Sequence, residues 1–370
     1  MAHWPCAPWP CGALALCALA LCALALCAHW PCAPWPCAPW PCGALGALAA
    51  GRVGPRRAGA GEAGPWRTAG GALGLTSEAV LKLVLPKGSL ERATLELFEA
   101  ADLAVSRSSE VDYRASVRDH RISEVRILRP QEIPHYVAGG LFDLGITGRD
   151  WVEETGAQVV SLGELTYSKA TQQPIRIVLA VAASSPWESV KELPDGVKVS
   201  TEYPRLTERF LSTNGVKGDV VLSYGATEAK VPEIADAVVE LTETGRALRA
   251  AGLRVMDTVL VSYTELVANP AAYADPEKRK AMEDINTLLQ GALTARGRVL
   301  VKLNVAGQDL DRVISLLPAM RSPTVSELFG GGSYAVETVV PKDSINKLIP
   351  ELKDAGASDI VELPISKIVP

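Results

Sequence analysis

Thr242-Glu243-Thr244-Gly245-Arg246 has the residue types and spacing of a loop that holds a phosphate group. The apolar, β-branched runs Val220 to Leu222 and Ala237 to Leu241 predict strands before it, and Arg246 to Ala251, ended by Gly252, predicts a helix after it. A strand that turns into a helix presents unpaired backbone N–H groups and the positive end of a helix dipole, both suited to an anion. Gly245 lets the backbone come close, Thr242 and Thr244 offer hydroxyl donors, and Arg246 adds a forked, charged donor. Glu240 and Glu243 suit a phosphate poorly but suit the hydroxyls of a sugar attached to it, or Mg²⁺. Taken without its surroundings, the same turn also describes an ordinary helix cap.

Two further turns repeat this logic. Leu81 to Leu85 predicts a strand, and Ser89 is expected to cap a helix whose Leu90, Ala93, Leu97, Phe98 and Ala101 recur at helical spacing. Between them, Lys87 places a point charge beside Gly88, as a phosphate site would need or as a solvated turn would tolerate. Leu141 to Thr147 predicts another strand, running into Gly148-Arg149-Asp150 and a helix that begins near Trp151. Arg149 suits a phosphate there, and Asp150 suits either a ligand donor or the helix N-cap.

The wider string around the first loop is more specific. Tyr224-Gly225-Ala226-Thr227-Glu228, then Ala235-Asp236-Ala237-Val238, then Thr244-Gly245 with Leu248 resemble the signature of the ATP phosphoribosyltransferases, which open histidine biosynthesis. The resemblance runs from about Leu81 to Pro370 and includes Leu85-Pro86-Lys87-Gly88-Ser89 and Gly145-Ile146-Thr147-Gly148-Arg149-Asp150. It implies a reaction that joins ATP, through N1 of its adenine, to C1 of 5-phosphoribosyl 1-diphosphate. It places Thr242, Glu243, Thr244, Gly245, Arg246 and Ala247 on the 5-phosphate side of that donor, and Glu228, Asp236 and Glu240 at the ribose hydroxyls or Mg²⁺. By the same resemblance, Lys87 meets the pyrophosphate, while Arg149, Asp150 and Tyr203 face the nucleotide. The match has departures: the interval from Glu228 to Asp236 is one residue short, Glu240 stands where Asp is usual, and Ala247 replaces a threonine. Losing that hydroxyl leaves more of the phosphate to its neighbours.

Such a transfer needs no protein nucleophile, so catalysis is expected from positioning and charge, with Mg²⁺ carried by the substrate phosphates. The residues after position 76 agree, because all eight cysteines lie between Cys6 and Cys42. His120 and His135 are the histidines of this part, and neither has a partner at metal-ligand spacing.

These turns require an α/β framework. Two lobes are expected, of the periplasmic-binding-protein-like kind: residues 77–172 with 267–296 in the first, and 173–266 in the second. Ile175 to Ala183 and Val197 to Thr201 predict strands of the second lobe, followed by Glu202-Tyr203-Pro204 and a helix from Leu206 to Thr213. Pro276 starts a long helix with Met282, Ile285, Leu288, Leu289, Ala292 and Leu293 on one face, expected to return to the first lobe. A chain that crosses over and comes back leaves a cleft, where ligands bind. The same architecture serves two-lobed modules that close on a small ligand without chemistry, the rival reading.

Residues 297–370 predict the order β-α-β-β-α-β of a ferredoxin-like module. By composition alone this module could equally serve dimerisation; the resemblance makes it the regulatory domain of the long form, where histidine binds and inhibits, and implies dimers that assemble into a hexamer.

Residues 1–76 differ from everything after them. No Asp, Glu, Lys or Arg precedes Arg52, and the pentads Trp-Pro-Cys-Ala-Pro and Leu-Ala-Leu-Cys-Ala can be written as one nucleotide repeat in two reading frames. That is the mark of translated repeat DNA or of a misplaced start codon. The repeat accounts for the cysteine spacing without a metal or disulfide framework. Gly51 to Ser77 has the composition of a linker or a transit peptide, so the expected compartment is the cytoplasm, or an organellar stroma if it is an address. Removing the four basic and one acidic residues before position 77 leaves 33 − 41 = −8. An acidic body argues against nucleic-acid or membrane partners and requires a local positive site for any anionic substrate.

Overall fold

The computed structural model describes residues 80–167, 175–318 and 322–370. The readings of residues 1–76 lie outside them. The described residues belong to one compact unit.

The first lobe is built from β1 (Leu81–Pro86), α1 (Glu91–Ala100), β2 (Val105–Ser106), β3 (Arg114–Val117), β4 (Ile122–Leu128), α2 (Ile133–Ala138), β5 (Leu144–Gly148), α3 (Arg149–Thr155) and β6 (Val160–Glu164). The second follows with β7 (Ile175–Ala182), β8 (Val197–Thr201), α4 (Pro204–Thr213), β9 (Gly218–Leu222), β10 (Ala237–Thr242), α5 (Arg246–Ala250) and β11 (Leu253–Ser262). The chain then returns through β12 (Thr264–Ala268), α6 (Pro270–Ala274) and α7 (Pro276–Ala295).

β1 shows why its apolar run makes a central strand. Leu83 and Leu85 point to the layer holding Phe98 of α1 and Met282, Ile285 and Leu289 of α7, whereas Val84 points to Ile133 and Val137 of α2 on the other face. A strand covered on both faces needs a continuous apolar run rather than an alternating one. The periodicity of α7 is accounted for in the same way: its apolar stripe lies on the first lobe.

The first sheet has the order β2-β3-β4-β1-β5-β12-β6, with β4, β1 and β5 parallel and β12 antiparallel to both its neighbours. The second has the order β11-β7-β10-β8-β9, with β10, β8 and β9 parallel. Two boundaries differ from expectation. The return to the first lobe comes at Tyr263, not after residue 266, because β12 pairs with β5. Ser89 does not cap α1, whose N-cap position is Leu90 without a side-chain bond; Glu91 instead accepts from the Gly88 N–H at 3.3 Å and from Arg107 at 2.6 Å.

The third unit comprises β13 (Arg298–Ala306), α8 (Leu310–Leu316), β14 (Thr324–Glu327), β15 (Ser333–Pro341), α9 (Ile345–Asp354) and β16 (Ala357–Pro364). Its sheet is antiparallel in the order β14-β15-β13-β16, the ferredoxin-like arrangement, over a core of Val301, Val313, Val336, Val340 and Leu352.

Candidate active site

Parallel strands send their carboxyl ends to one edge of a sheet, and ligands gather there. β1, β4 and β5 deliver Lys87, Pro130 and Gly148 to that edge in the first lobe, and β8 and β10 deliver Glu202 and Thr242 in the second. A cavity of 430 Å³ opens between them, lined by Ser89, Gln131, Asp150, Tyr203, Glu240 and Ser262 among others. Its size suits a nucleotide-sized ligand.

Asp150 is the polar centre of this cavity. It is 3% exposed and accepts from Tyr203 Oη at 2.8 Å and Ser262 Oγ at 2.6 Å, while the Asp150 N–H donates to Ser262 Oγ at 3.1 Å. The three residues come from the first lobe, the second lobe and the end of the strand that joins them. Gly148, not Asp150, holds the N-cap position of α3. Burial pushes the Asp150 carboxyl above its ordinary range, and the two hydroxyls oppose that shift. Tyr203, buried against the carboxylate, has its phenol held strongly in the protonated form, as a donor. The Trp151 ring lies 4.6 Å from that of Tyr203.

Glu240 enters the cavity from the end of β10. Its carboxyl is also raised, first by burial and further by the like charges of Glu202 and Glu228, against the hydroxyl of Thr227 and the Leu241 N–H. Three glutamates thus converge in charge, but among the described residues no group of His, Cys, Asp or Glu is close enough to form a metal cage.

The loop after β10 lines an adjoining shallow cavity of 550 Å³ through Thr242, Glu243, Thr244, Arg246 and Ala247. Gly245 adopts φ +69°, which a side chain would resist, and a Cβ there would stand 2.9 Å from the Arg249 guanidinium. The Gly245 N–H donates to Thr242 Oγ1 at 2.9 Å, so that hydroxyl shapes the turn. Arg249 donates to the Thr244 carbonyl at 3.0 Å and braces the loop from behind.

Four site residues expected from sequence do not line this cavity, one of them Glu228, half-buried between β9 and β10, whose charge nonetheless reaches Glu240. Asp236 is exposed just before β10 and accepts from the Lys198 N–H at 2.8 Å. It lies about 20 Å along the strand from Thr242, at the wrong end for the cleft. Arg149 turns to carboxylates, Glu153 at 2.5 Å and the buried Glu265 at 3.8 Å, and does not line the cavity. Lys87 reaches the strand edge at the cleft, but its ammonium lies 4.1 Å from the centre of the Tyr113 ring and it is not among the residues lining the cavity. Conversely, Ser262, Tyr263 and Thr264 line the cavity although no motif in the sequence marks them.

Glu265 supplies a pH test. Its side chain is fully buried, with Oε2 accepting from Ser161 at 2.7 Å and Oε1 without a hydrogen bond, and burial raises its pKa above 4.5. A carboxyl raised in the fold gives stability that is complete below its unfolded value and lost as pH rises through the folded value. Glu265→Gln cannot ionise, so its melting temperature relative to the parent protein should climb as pH rises above 4.5 and level off once the parent's carboxyl is ionised in the fold. A difference that is the same below and above pH 4.5 would refute the assignment.

Residues 129–291 match the family model described as ATP phosphoribosyltransferase, and residues 295–367 match the one described as HisG, C-terminal domain. The ATP phosphoribosyltransferase of Chlorobium luteolum is 46% identical over 79% of this chain and 99% of its own. That of Pelotomaculum thermopropionicum is 47% identical over 78% of this chain and 99% of its own. Among solved structures, an ATP phosphoribosyl transferase (HisG:HisZ) complex from Thermotoga maritima aligns with a TM-score of 0.48 at 24% identity, over 57% of this chain and 99% of that one.

Proposed function

We propose how this cleft performs the reaction of its family, for the chain belongs to the ATP phosphoribosyltransferases, which carry out the first step of histidine biosynthesis. N1 of the adenine of ATP attacks C1 of 5-phosphoribosyl 1-diphosphate, an N–C bond forms, the C1–O bond breaks, and diphosphate leaves. The observation that carries the site assignment is the position of Asp150, Tyr203 and Glu240 around one cavity beside the Thr242–Ala247 loop.

In this reading the adenine lies against Asp150 and Tyr203, and the loop takes the 5-phosphate through its backbone N–H groups, the Thr244 hydroxyl and Arg246. Glu240, together with Glu228, accepts from the ribose hydroxyls. Lys87 leaves the Tyr113 ring and meets the diphosphate. Because no residue forms a covalent bond, the rate comes from holding N1 and C1 in line and from cations that meet the leaving charge. Mg²⁺ would come with the substrate phosphates, and Glu240 and Glu228 are the residues that would help hold it, since such ions take one or two carboxylates and the rest of their ligands from phosphate and water. It would offset the charge of the departing diphosphate.

The third unit takes histidine as an inhibitor in this reading. A cavity of 410 Å³ on its sheet is lined by Ser322, Thr324, Glu337 and Thr338. Hydroxyls and a carboxylate suit the charged ends of an amino acid. Assembly of dimers into a hexamer and a cytoplasmic site complete the proposal, the stroma being the alternative if residues 1–76 contain an address. No helix among the described residues is long and apolar enough to cross a membrane.

The test mixes the full chain, and separately residues 77–370, with ATP, 5-phosphoribosyl 1-diphosphate and Mg²⁺, with and without histidine. Diphosphate release by both proteins, suppressed by histidine, is the expected result. Release insensitive to histidine would remove the regulator, and ligand binding without release would favour a two-lobed binding module.

A further inference from the structure

The amino end of α4 is closed by the opposite lobe. The helix begins after Tyr203, whose own side chain makes no cap bond. Pro204 has no N–H, the Tyr203 N–H donates to Thr201 Oγ1 at 2.9 Å, and the Thr207 N–H donates to the Tyr203 carbonyl at 3.0 Å. The two remaining first-turn donors, the N–H groups of Arg205 and Leu206, both go to Glu154 of α3, at 3.1 and 2.8 Å. Glu154 is 8% exposed, and each of its oxygens takes one of these bonds across the interlobe boundary. A carboxylate on a helix amino terminus meets both unpaired donors and a favourable dipole. The Arg205 guanidinium returns a bond to the Thr155 carbonyl at 2.9 Å, and Arg209 meets Glu153 at 3.0 Å.

The same short helix therefore carries two connections between the lobes. Asp150, on its first turn, holds the Tyr203 hydroxyl inside the cavity, and Glu154, one turn later, holds the backbone just after Tyr203. We propose that Glu154 is a positioning residue: by gripping the start of α4 it fixes how far Tyr203 stands from Asp150, and so sets the aperture of the cleft. Glu154 does not line the cavity and touches no substrate in this arrangement. Its effect passes through Tyr203. This inference rests on the reading that the Asp150 and Tyr203 wall receives the nucleotide.

The test uses the full chain with Glu154→Ala and Glu154→Gln, the latter keeping one of the two acceptors. Glu154→Ala should raise KM for ATP tenfold or more while kcat at saturation changes less than threefold, with Glu154→Gln between it and the parent. Solution X-ray scattering should show the Ala variant more expanded without ligand and contracting when ATP is added. The idea is overturned if folded variants keep the parent's KM and scattering profile, or if KM rises with no change in scattering. If the Ala variant does not fold, the same two readouts on the Gln variant decide. A parent protein that releases no diphosphate would defeat the activity reading instead, and scattering with and without ATP would still decide whether Glu154 sets the aperture.

Discussion

Asp150→Ala should lower kcat/KM for ATP by about a hundredfold and also destabilise the protein. The carboxylate receives two buried hydroxyls, Tyr203 Oη and Ser262 Oγ, and alanine leaves both without a partner. A buried polar group stripped of its bond costs about 1–3 kcal/mol. Part of this returns, because the burial that raises the Asp150 pKa also makes its charge expensive to keep. A net loss of about 2 kcal/mol in stability is therefore expected. The larger loss in activity has a separate origin: Tyr203 and Ser262 belong to different parts of the cleft wall, and Asp150 is what fixes both. Asp150→Asn, which keeps an acceptor without the charge, should recover much of the stability and less of the activity. Thermal unfolding beside steady-state kinetics separates the two effects. Equal recovery of both in the Asn variant would mean that Asp150 is only a packing group.

Arg246→Ala and Lys87→Ala should each raise KM for 5-phosphoribosyl 1-diphosphate about ten- to a hundredfold, with KM for ATP changed less than threefold. Arg246 is exposed at the start of α5 and makes no ion pair among the described residues; Lys87 makes its ring contact with Tyr113. Removing either side chain therefore takes little from the fold. A hydrogen bond to a charged group contributes about 1.5–3 kcal/mol, and each 1.4 kcal/mol is about tenfold in affinity. Matched changes in both Michaelis constants, or none, would withdraw the donor-site roles of these two residues.

How much of this was legible before the fold was known depended on distance along the chain. The Thr242 to Arg246 loop could be read because its parts are contiguous: a strand, a hydroxyl, a glycine that must turn and a helix. α7 could be read because one stripe of it is apolar. The Asp150 cluster could not, since its partners lie 53 and 112 residues away. Asp150 in sequence is only an acid near a helix start. Asp236 misled for the opposite reason: it lies close to Glu240 in sequence, but an extended strand carries each residue about 3.3 Å further from the cleft. Arg149 misled through its company, as Glu153 on the next turn and Glu265 on a neighbouring strand claim its charge.

The second lobe is an insertion within the first, and this bears on the order in which the chain matures during synthesis. Residues 175–262 form a five-stranded sheet from contiguous chain. The first sheet, begun earlier, is still missing β12, which belongs between β5 and β6, and α7, whose Met282, Ile285 and Leu289 fill its core. A nascent chain leaving the ribosome at about 5–20 residues per second therefore holds an open sheet while the later lobe completes itself. The lobe that is written second is the first that can close, and the one written first waits for its own ending.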